Sequence, residues 1–310
     1  MDLSVVATMY SSEAHIWEFC KRISAAAAKI TDDYELIIVN DGSPDKSLDI
    51  TLSFFEQNDN VKIIDLSRNF GHYKAIMTGL SHASGDLVFL IDSDLEEEPE
   101  LLESFHHEYI SDKSVDVVYG IQKTRKGAMF EKISGAFFYK FFNFFSVWKI
   151  PMNVSTVRLM SKSYVENLIK HEDSEVFLAG LWVMTGFKQK PLVFTKHNIS
   201  DTTYSLRKKM AVVVNAITSF SVLPLLYVFY MGTVISAIST FYIIAMIYKK
   251  LVLNIPVPGY TSLIVSIFFL GGLTIFSIGI IGIYLSKIFM EVKRWPYTII
   301  KTIHEHNHKD

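Results

Sequence analysis

Gly85-Asp86-Leu87-Val88-Phe89-Leu90-Ile91-Asp92-Ser93-Asp94 decides the fold. A short apolar run, too short for a buried helix, ends in two carboxylates one residue apart. Such a run reads as a buried strand, with the acidic pair at its carboxyl end. Working outward, Leu3–Met9, Glu35–Asn40, Val61–Leu66, Asp86–Ile91 and Val115–Tyr119 are similar runs rich in Val and Ile, separated by segments of helical length. That βαβ rhythm predicts an α/β domain with a mainly parallel sheet and helices on both faces. Ligands of such sheets lie beyond the carboxyl ends of the strands. The informative residues are therefore Tyr10–Glu13, Asp41-Gly42-Ser43, Ser67-Arg68-Asn69 and Asp92-Ser93-Asp94.

Two carboxylates at one strand end offer hard oxygen ligands for Mg²⁺ or Mn²⁺, a cation that would neutralise a diphosphate leaving group. Asp92 and Asp94 are the candidate ligands, with Glu96 as a third oxygen. Glu97 and Glu98, just before Pro99, read as a solvated run opening a helix. Asp41 can accept hydrogen bonds from a base or ribose, or can belong to an ordinary Asx turn beside Gly42. His72, His82, His106 and His107 fall on predicted helices without metal-ligand spacing at a strand end, and read as ordinary helix or surface histidines.

The chain has 310 residues, half of them hydrophobic, with a mean hydropathy of +0.26 and a net charge of −2. No basic field argues for nucleic acid. The single cysteine, Cys20, excludes an intramolecular disulfide framework and fits a reducing compartment. The opening residues read as a strand and not as a signal peptide. Gly127–Ile150 is dense in Phe, with Lys132, Lys140 and Lys149 interspersed, the pattern of an interfacial amphipathic helix. Charge then nearly vanishes from Ala216 to Tyr248 and from Tyr260 to Tyr284. Both stretches exceed the ~20 apolar residues needed to cross a bilayer, and the Pro-containing turn between them predicts a transmembrane hairpin. Arg207, Lys208 and Lys209 precede it and Lys287, Lys293 and Arg294 follow it, while Lys249 and Lys250 lie in the connection. The positive-inside rule places the N-terminal domain and both termini in the cytoplasm, at the inner membrane. The expected organisation is a catalytic domain over 1–210, a hairpin over 211–290 and a cytoplasmic tail over 291–310 that frays from His304 to Asp310.

Tyr34–Ser43 (YELIIVNDGS), Asn69-Phe70-Gly71, Gly85-Asp86, Ile91–Leu95 (IDSDL) and Arg158-Leu159-Met160 occur in order ahead of the hairpin. This set resembles the family-2 inverting glycosyltransferases that make dolichyl- or undecaprenyl-phosphate sugars, over nearly the whole chain. The resemblance implies a GT-A fold, a nucleotide-sugar donor, a divalent cation (Mg²⁺ or Mn²⁺) and a polyprenyl phosphate acceptor in the membrane. It implies that Asp41 holds the nucleoside, with Tyr10, Glu13 and Arg207 as further donor contacts. It implies that Asp92 and Asp94 hold ribose, metal and diphosphate, and that Arg158 sits in the catalytic cleft. Arg125 and Lys132 would meet the lipid phosphate from a mobile loop over Gln122–Lys132. Attack by the already ionised phosphate would invert the anomeric carbon, and UDP-glucose is the first donor expected.

The chain departs from the family pattern at Thr8, where a Pro is usual, and at Ser11-Ser12, with the family's Glu displaced to Glu13. It departs also at Glu96, Thr156 and Thr203, the second of these in place of a cleft carboxylate. Two alternatives stay open: transfer to another membrane acceptor, such as a lipid-linked saccharide or a glycerolipid, and a non-catalytic scaffold. The glycines at 271, 272, 279 and 282 would serve close helix packing, in a homo-oligomer or against a flippase or downstream glycosyltransferase.

Overall fold

The computed structural model describes residues 1–123, 151, 153–171, 178–196, 223–251, 259–293 and 295–306. The expected strands form within one to three residues of their expected ends: β1 Leu3–Met9, β2 Tyr34–Asn40, β3 Val61–Leu66, β4 Leu87–Asp92 and β5 Val117–Gln122. They alternate with α1 Ile16–Ala28, α2 Ser47–Phe55, α3 His72–Leu80 and α4 Leu101–Ser111. Then come β6 Val154–Ser161, α5 Lys162–Leu168, α6 Leu178–Met184 and β7 Gln189–Phe194. Two long helices, α7 Leu223–Leu251 and α8 Tyr260–Val292, precede a last strand, β8 Ile300–His304.

Among the described residues the strands make one sheet in the order β7-β5-β6-β4-β1-β2-β3-β8. β1 pairs in parallel with both β2 and β4, and β2 with β3; β6 runs antiparallel between β4 and β5. The order reverses between β1 and β4, so the ligand crevice is expected beyond Met9 and Asp92. The register partner of Asp92 is Thr8.

Helices cover both faces, as alternation along the strands requires. Leu3, Val5, Ala7 and Met9 of β1 pack with α1 and α4, whereas Val6 faces α3. α3 lies close: a Cβ on Gly79 would come 2.5 Å from Val6 Cγ1 and 2.9 Å from Val39 Cγ2. This glycine therefore sets the height of α3, and with it the position of His72 at the helix start.

The expectation of a frayed tail from His304 is corrected. β8 pairs antiparallel with β3, and the His306 ring stacks on Phe55 with centroids 4.0 Å apart. Pairing satisfies the edge of β3, which would otherwise present unpaired backbone groups. α7 and α8 contain apolar segments of 20 and 27 residues (Leu223–Tyr242 and Ser266–Val292), none of it buried against protein. They are long and apolar enough to cross a membrane.

Candidate active site

The structure gathers the strand-end loops at the reversal of strand order. Ser12 N–H donates to Ser47 Oγ at 2.8 Å, and Ser93 Oγ donates to the Thr8 carbonyl at 2.7 Å. These bonds tie the turn after β1 to both α2 and the Asp92-Ser93-Asp94 turn.

Asp92 ends β4 with its carboxylate directed at the start of α3. Its Oδ1 is buried and lacks a hydrogen bond of normal geometry, and lies 3.3 Å from His72 Nε2. Asp94 accepts the Glu96 N–H at 3.0 Å. Burial, and then repulsion from Asp92, pushes the Asp94 carboxyl above the ordinary range. Two carboxylates held this close with an orphaned oxygen are a donor set that a hard divalent cation would relieve. Among the described residues no three His, Cys, Asp or Glu side chains are gathered to hold a metal unaided. A cation there would therefore need oxygens from a ligand.

Glu96 does not complete a protein triad. Its Oε2 lies 3.1 Å from Lys196 Nζ, a pairing that draws it to β7's exit. Glu97 is also corrected, from a solvated residue to one with 0 % exposure. Leu95 adopts φ +58°, and this left-handed turn folds Glu97 inward beneath Ser155, whose Oγ donates to Glu97 Oε1. Glu97 Oε2 has no partner, and burial followed by repulsion from Asp92 pushes its carboxyl up to about 8. Lys196 Nζ stands 3.9 Å from Glu97 Oε1. Charge periodicity in EEE carries no sign of this inward turn, which a β6 residue distant in sequence dictates.

Asp41 is buried and already engaged. Oδ1 accepts the Phe70 N–H at 2.7 Å and Oδ2 the Gly71 N–H at 3.1 Å. It thus holds the chain entering α3, although each oxygen keeps a lone pair for a ligand. Gly42 has φ +63°, and a Cβ there would stand 2.5 Å from Arg68 C and 2.6 Å from Asn69 N. Only glycine allows the β2 and β3 loops to approach in this way. Tyr10 is exposed beside the crevice. Glu13 turns instead to the neighbouring loop, accepting the Lys46 N–H at 3.3 Å.

Arg158 sits on the face of β6 turned towards α6. It is 1 % exposed, with Cζ 2.9 Å from the Trp182 ring centroid. Nε and Nη2 donate to the carbonyls of Thr156 and Ser155 at 3.1 and 3.2 Å. Burial pulls the guanidinium down to about 9, so it still carries its charge near neutral pH. It lines a cavity of about 260 Å³ with Tyr119, Val154, Trp182, Phe187 and Gln189. That lining excludes Asp92 and Asp94. The structure therefore links Arg158 to the acidic turn through Ser155 and Glu97 and not by direct contact. Arg125, Lys132 and Arg207 lie outside the described residues, as does the segment expected as an interfacial helix.

Sequence reasoning missed His72, Glu97 and Lys196. His72 could have been found from Thr8: a hydroxyl in place of a proline, at the end of the strand facing α3, calls for a polar partner.

Known proteins match this architecture. A mannosyltransferase from Pyrobaculum calidifontis, solved with GDP-mannose and Mn²⁺, superposes with a TM-score of 0.50 at 17 % identity, over 70 % of this chain and 63 % of that one. A Mycobacterium tuberculosis protein described as a putative glycosyltransferase is 47 % identical over 304 residues, covering 98 % of this chain and 89 % of its own. The SfII prophage-derived bactoprenol glucosyl transferase of Shigella flexneri is 32 % identical over 99 % of this chain and 100 % of its own. The model of the family described as "Glycosyl transferase family 2" matches residues 4–169, the span from β1 to the end of α5 that carries Asp41, Asp92, Asp94 and Arg158. With the GT-A sheet, the acidic turn at its switch point and full-length relatives all in agreement, the chain belongs to glycosyl transferase family 2.

Proposed function

We propose that this glycosyltransferase moves a hexose from a nucleotide sugar to a polyprenyl phosphate at the cytoplasmic face of a membrane, with Mg²⁺ or Mn²⁺ held by Asp92 and Asp94. The observation that carries the donor half is the Asp92–Asp94 pair, with a buried orphaned oxygen at the β1–β4 switch point. The acceptor half is supported by two unburied apolar helices and by the bactoprenol relative aligned end to end.

A bound divalent cation would supply the charge that lets the nucleoside diphosphate depart. The chain's own residues orient the partners. Asp41 shapes the loop at Phe70 and Gly71 for the nucleoside, and Tyr10 offers an exposed ring at the same edge. A phosphate oxygen of the lipid bonds to the anomeric carbon as the carbon–oxygen bond to the diphosphate breaks, and the electron pair leaves with the diphosphate. No strong base is needed, because a phosphate monoester is ionised near neutral pH. Single displacement inverts the anomeric centre. Arg158 acts as a positioning residue for the Ser155–Thr156 backbone. From the family resemblance, Arg125 and Lys132 receive the lipid phosphate and Arg207 closes on the donor diphosphate. The domain over 1–210 and both chain ends would share the cytoplasmic side of a hairpin over 211–290.

The test is transfer from radiolabelled nucleotide sugars, UDP-glucose first, to undecaprenyl phosphate in detergent, with Mg²⁺ or Mn²⁺ against EDTA. Metal-dependent transfer from one donor, with an α-linked donor giving a β-linked product, is expected. Metal-dependent nucleotide binding without transfer to that lipid would redirect the reading to another membrane acceptor. Absence of both would leave a scaffold.

A further inference from the structure

Asp92 is held from a side that the family pattern does not predict. Asp41 fixes the chain at Phe70 and Gly71, and Gly79 lets α3 settle onto Val6 and Val39. Between these two constraints the imidazole of His72 falls over the end of β1. Its Nδ1 lies 3.1 Å from Thr8 Oγ1, and its Nε2 3.3 Å from Asp92 Oδ1. Thr8 and Asp92 are register partners, so one ring spans adjacent strand ends.

The chemistry is directional. With the ring proton on Nε2, the Thr8 hydroxyl donates to Nδ1 and Nε2–H faces the buried Asp92 Oδ1. That oxygen makes no hydrogen bond of normal geometry, so the 3.3 Å approach of His72 Nε2 is an electrostatic contact that a small rotation of the ring would convert to a bond. A proline at position 8 has no hydroxyl and could not select this tautomer. Thr8 and His72 are therefore a matched pair, one orienting the other.

We propose that Thr8 and His72 form a positioning pair that fixes the Asp92 carboxylate for a cation-bound nucleoside diphosphate. This rests on the reading of Asp92 and Asp94 as the donor–cation site. A purely structural role fits the exposure poorly: the His72 side chain is 45 % exposed, and contacts at such sites contribute little to folding. Outer partners of metal-holding carboxylates, by contrast, typically alter metal affinity about 10- to 100-fold.

The full-length chain in detergent tests this through Mn²⁺ binding with UDP, or with GDP, followed by the electron paramagnetic resonance of free Mn²⁺. His72→Ala is expected to weaken Mn²⁺–nucleotide binding by about tenfold. Its melting temperature should stay within a few degrees of the unaltered chain. His72→Gln, whose amide nitrogen can reach Asp92, should recover most of the affinity. Thr8→Val should lose several-fold alone and nothing further in the His72→Ala background, because the hydroxyl acts through the ring. Unchanged affinity in His72→Ala, or a loss that tracks a collapse in melting temperature, would overturn the pairing. Asp94→Ala separates the two levels. If it abolishes binding while His72→Ala leaves the affinity unchanged, only the positioning pair fails. If the unaltered chain binds no Mn²⁺–nucleotide, or Asp94→Ala binds as well as it does, the donor-site reading fails and the pair with it.

Discussion

Lys196 Nζ lies 3.9 Å from Glu97 Oε1, at a glutamate without exposed surface whose other oxygen has no hydrogen-bond partner. The same ammonium lies 3.1 Å from Glu96 and is also held charged by Asp94 and Asp92 of that turn.

That crowding has a sign in pH. Burial raises the folded-state carboxyl of Glu97 from 4.5 to about 8, so between those values the folded chain binds the extra proton. Stability contributed by Glu97 is therefore present at low pH and lost as pH rises towards 8. Glu97→Gln, which keeps the Ser155 contact without the charge, is expected to stabilise by on the order of 2 kcal/mol at pH 9 and by almost nothing at pH 5. Thermal unfolding in EDTA at the two pH values checks this; an equal shift at both would refute it.

Asp41 and Gly42 act on one loop from two directions. Gly42→Ala adds a Cβ 2.5 Å from Arg68 C at a backbone φ of +63°, so the Ser67–Gly71 loop must move. A cost of about 1–3 kcal/mol follows. Asp41→Asn leaves the fold intact but turns an amide N–H₂ towards one of two backbone donors. The orphaned N–H costs about 1–3 kcal/mol. Both variants are expected to weaken nucleotide binding with the same loop displacement, measurable by hydrogen exchange at Phe70 and Gly71. Protection that stays unchanged in Asp41→Asn would show that the carboxylate does not hold this loop.

The parallel half of the sheet was legible because each of its strands is a short apolar run that announces itself. The acidic turn was legible for the same reason: Leu87–Ile91 points to it. β8 was not, since IKTIH is short, mostly polar and without strict alternation, and finds its partner β3 more than two hundred residues earlier. Glu97 was misread because its environment is made by Ser155 and Lys196, neither near in sequence. The contact of His72 with Asp92 was not legible, because a ring at a helix start meets the end of β1 only once Gly79 has set the distance. Arg158 was recognised as important, yet its burial under Trp182 depends on α6, which no motif marked.

The C-terminal strand gives a direct test of that blind spot. Beyond the β3–β8 ladder, Ser67 N–H donates to the Ile299 carbonyl at 2.9 Å, and the Thr78 and Thr298 hydroxyls meet at 2.8 Å. Segment 297–304 thus braces both the loop that Asp41 holds and the helix that carries His72. Deleting residues 295–310 is expected to expose the edge of β3, promote self-association and lower the melting temperature by several degrees. Phe55→Ala, which removes the stacking partner of His306, should cost about 1–3 kcal/mol on its own. A deletion that melts like the intact chain would mean that β8 contributes nothing to the domain.

Arg158 separates positioning from contact with the reacting groups. Its guanidinium is planar, stacks on Trp182 and spends two N–H groups on the Ser155 and Thr156 carbonyls. Lysine cannot reproduce either the stack or the fork. Arg158→Lys is therefore expected to cost about 2–4 kcal/mol of stability, since it leaves a buried charge with poorer partners. The Ser155–Glu97 contact would loosen with it, while Mn²⁺–nucleotide affinity would change by less than about threefold, because Asp92 and Asp94 keep their own supports. Turnover should fall through kcat with KM for the nucleotide sugar nearly unchanged. If Arg158→Lys instead weakens nucleotide binding as strongly as Asp94→Ala while melting normally, the arginine reaches the donor directly and the route through Ser155 and Glu97 is wrong.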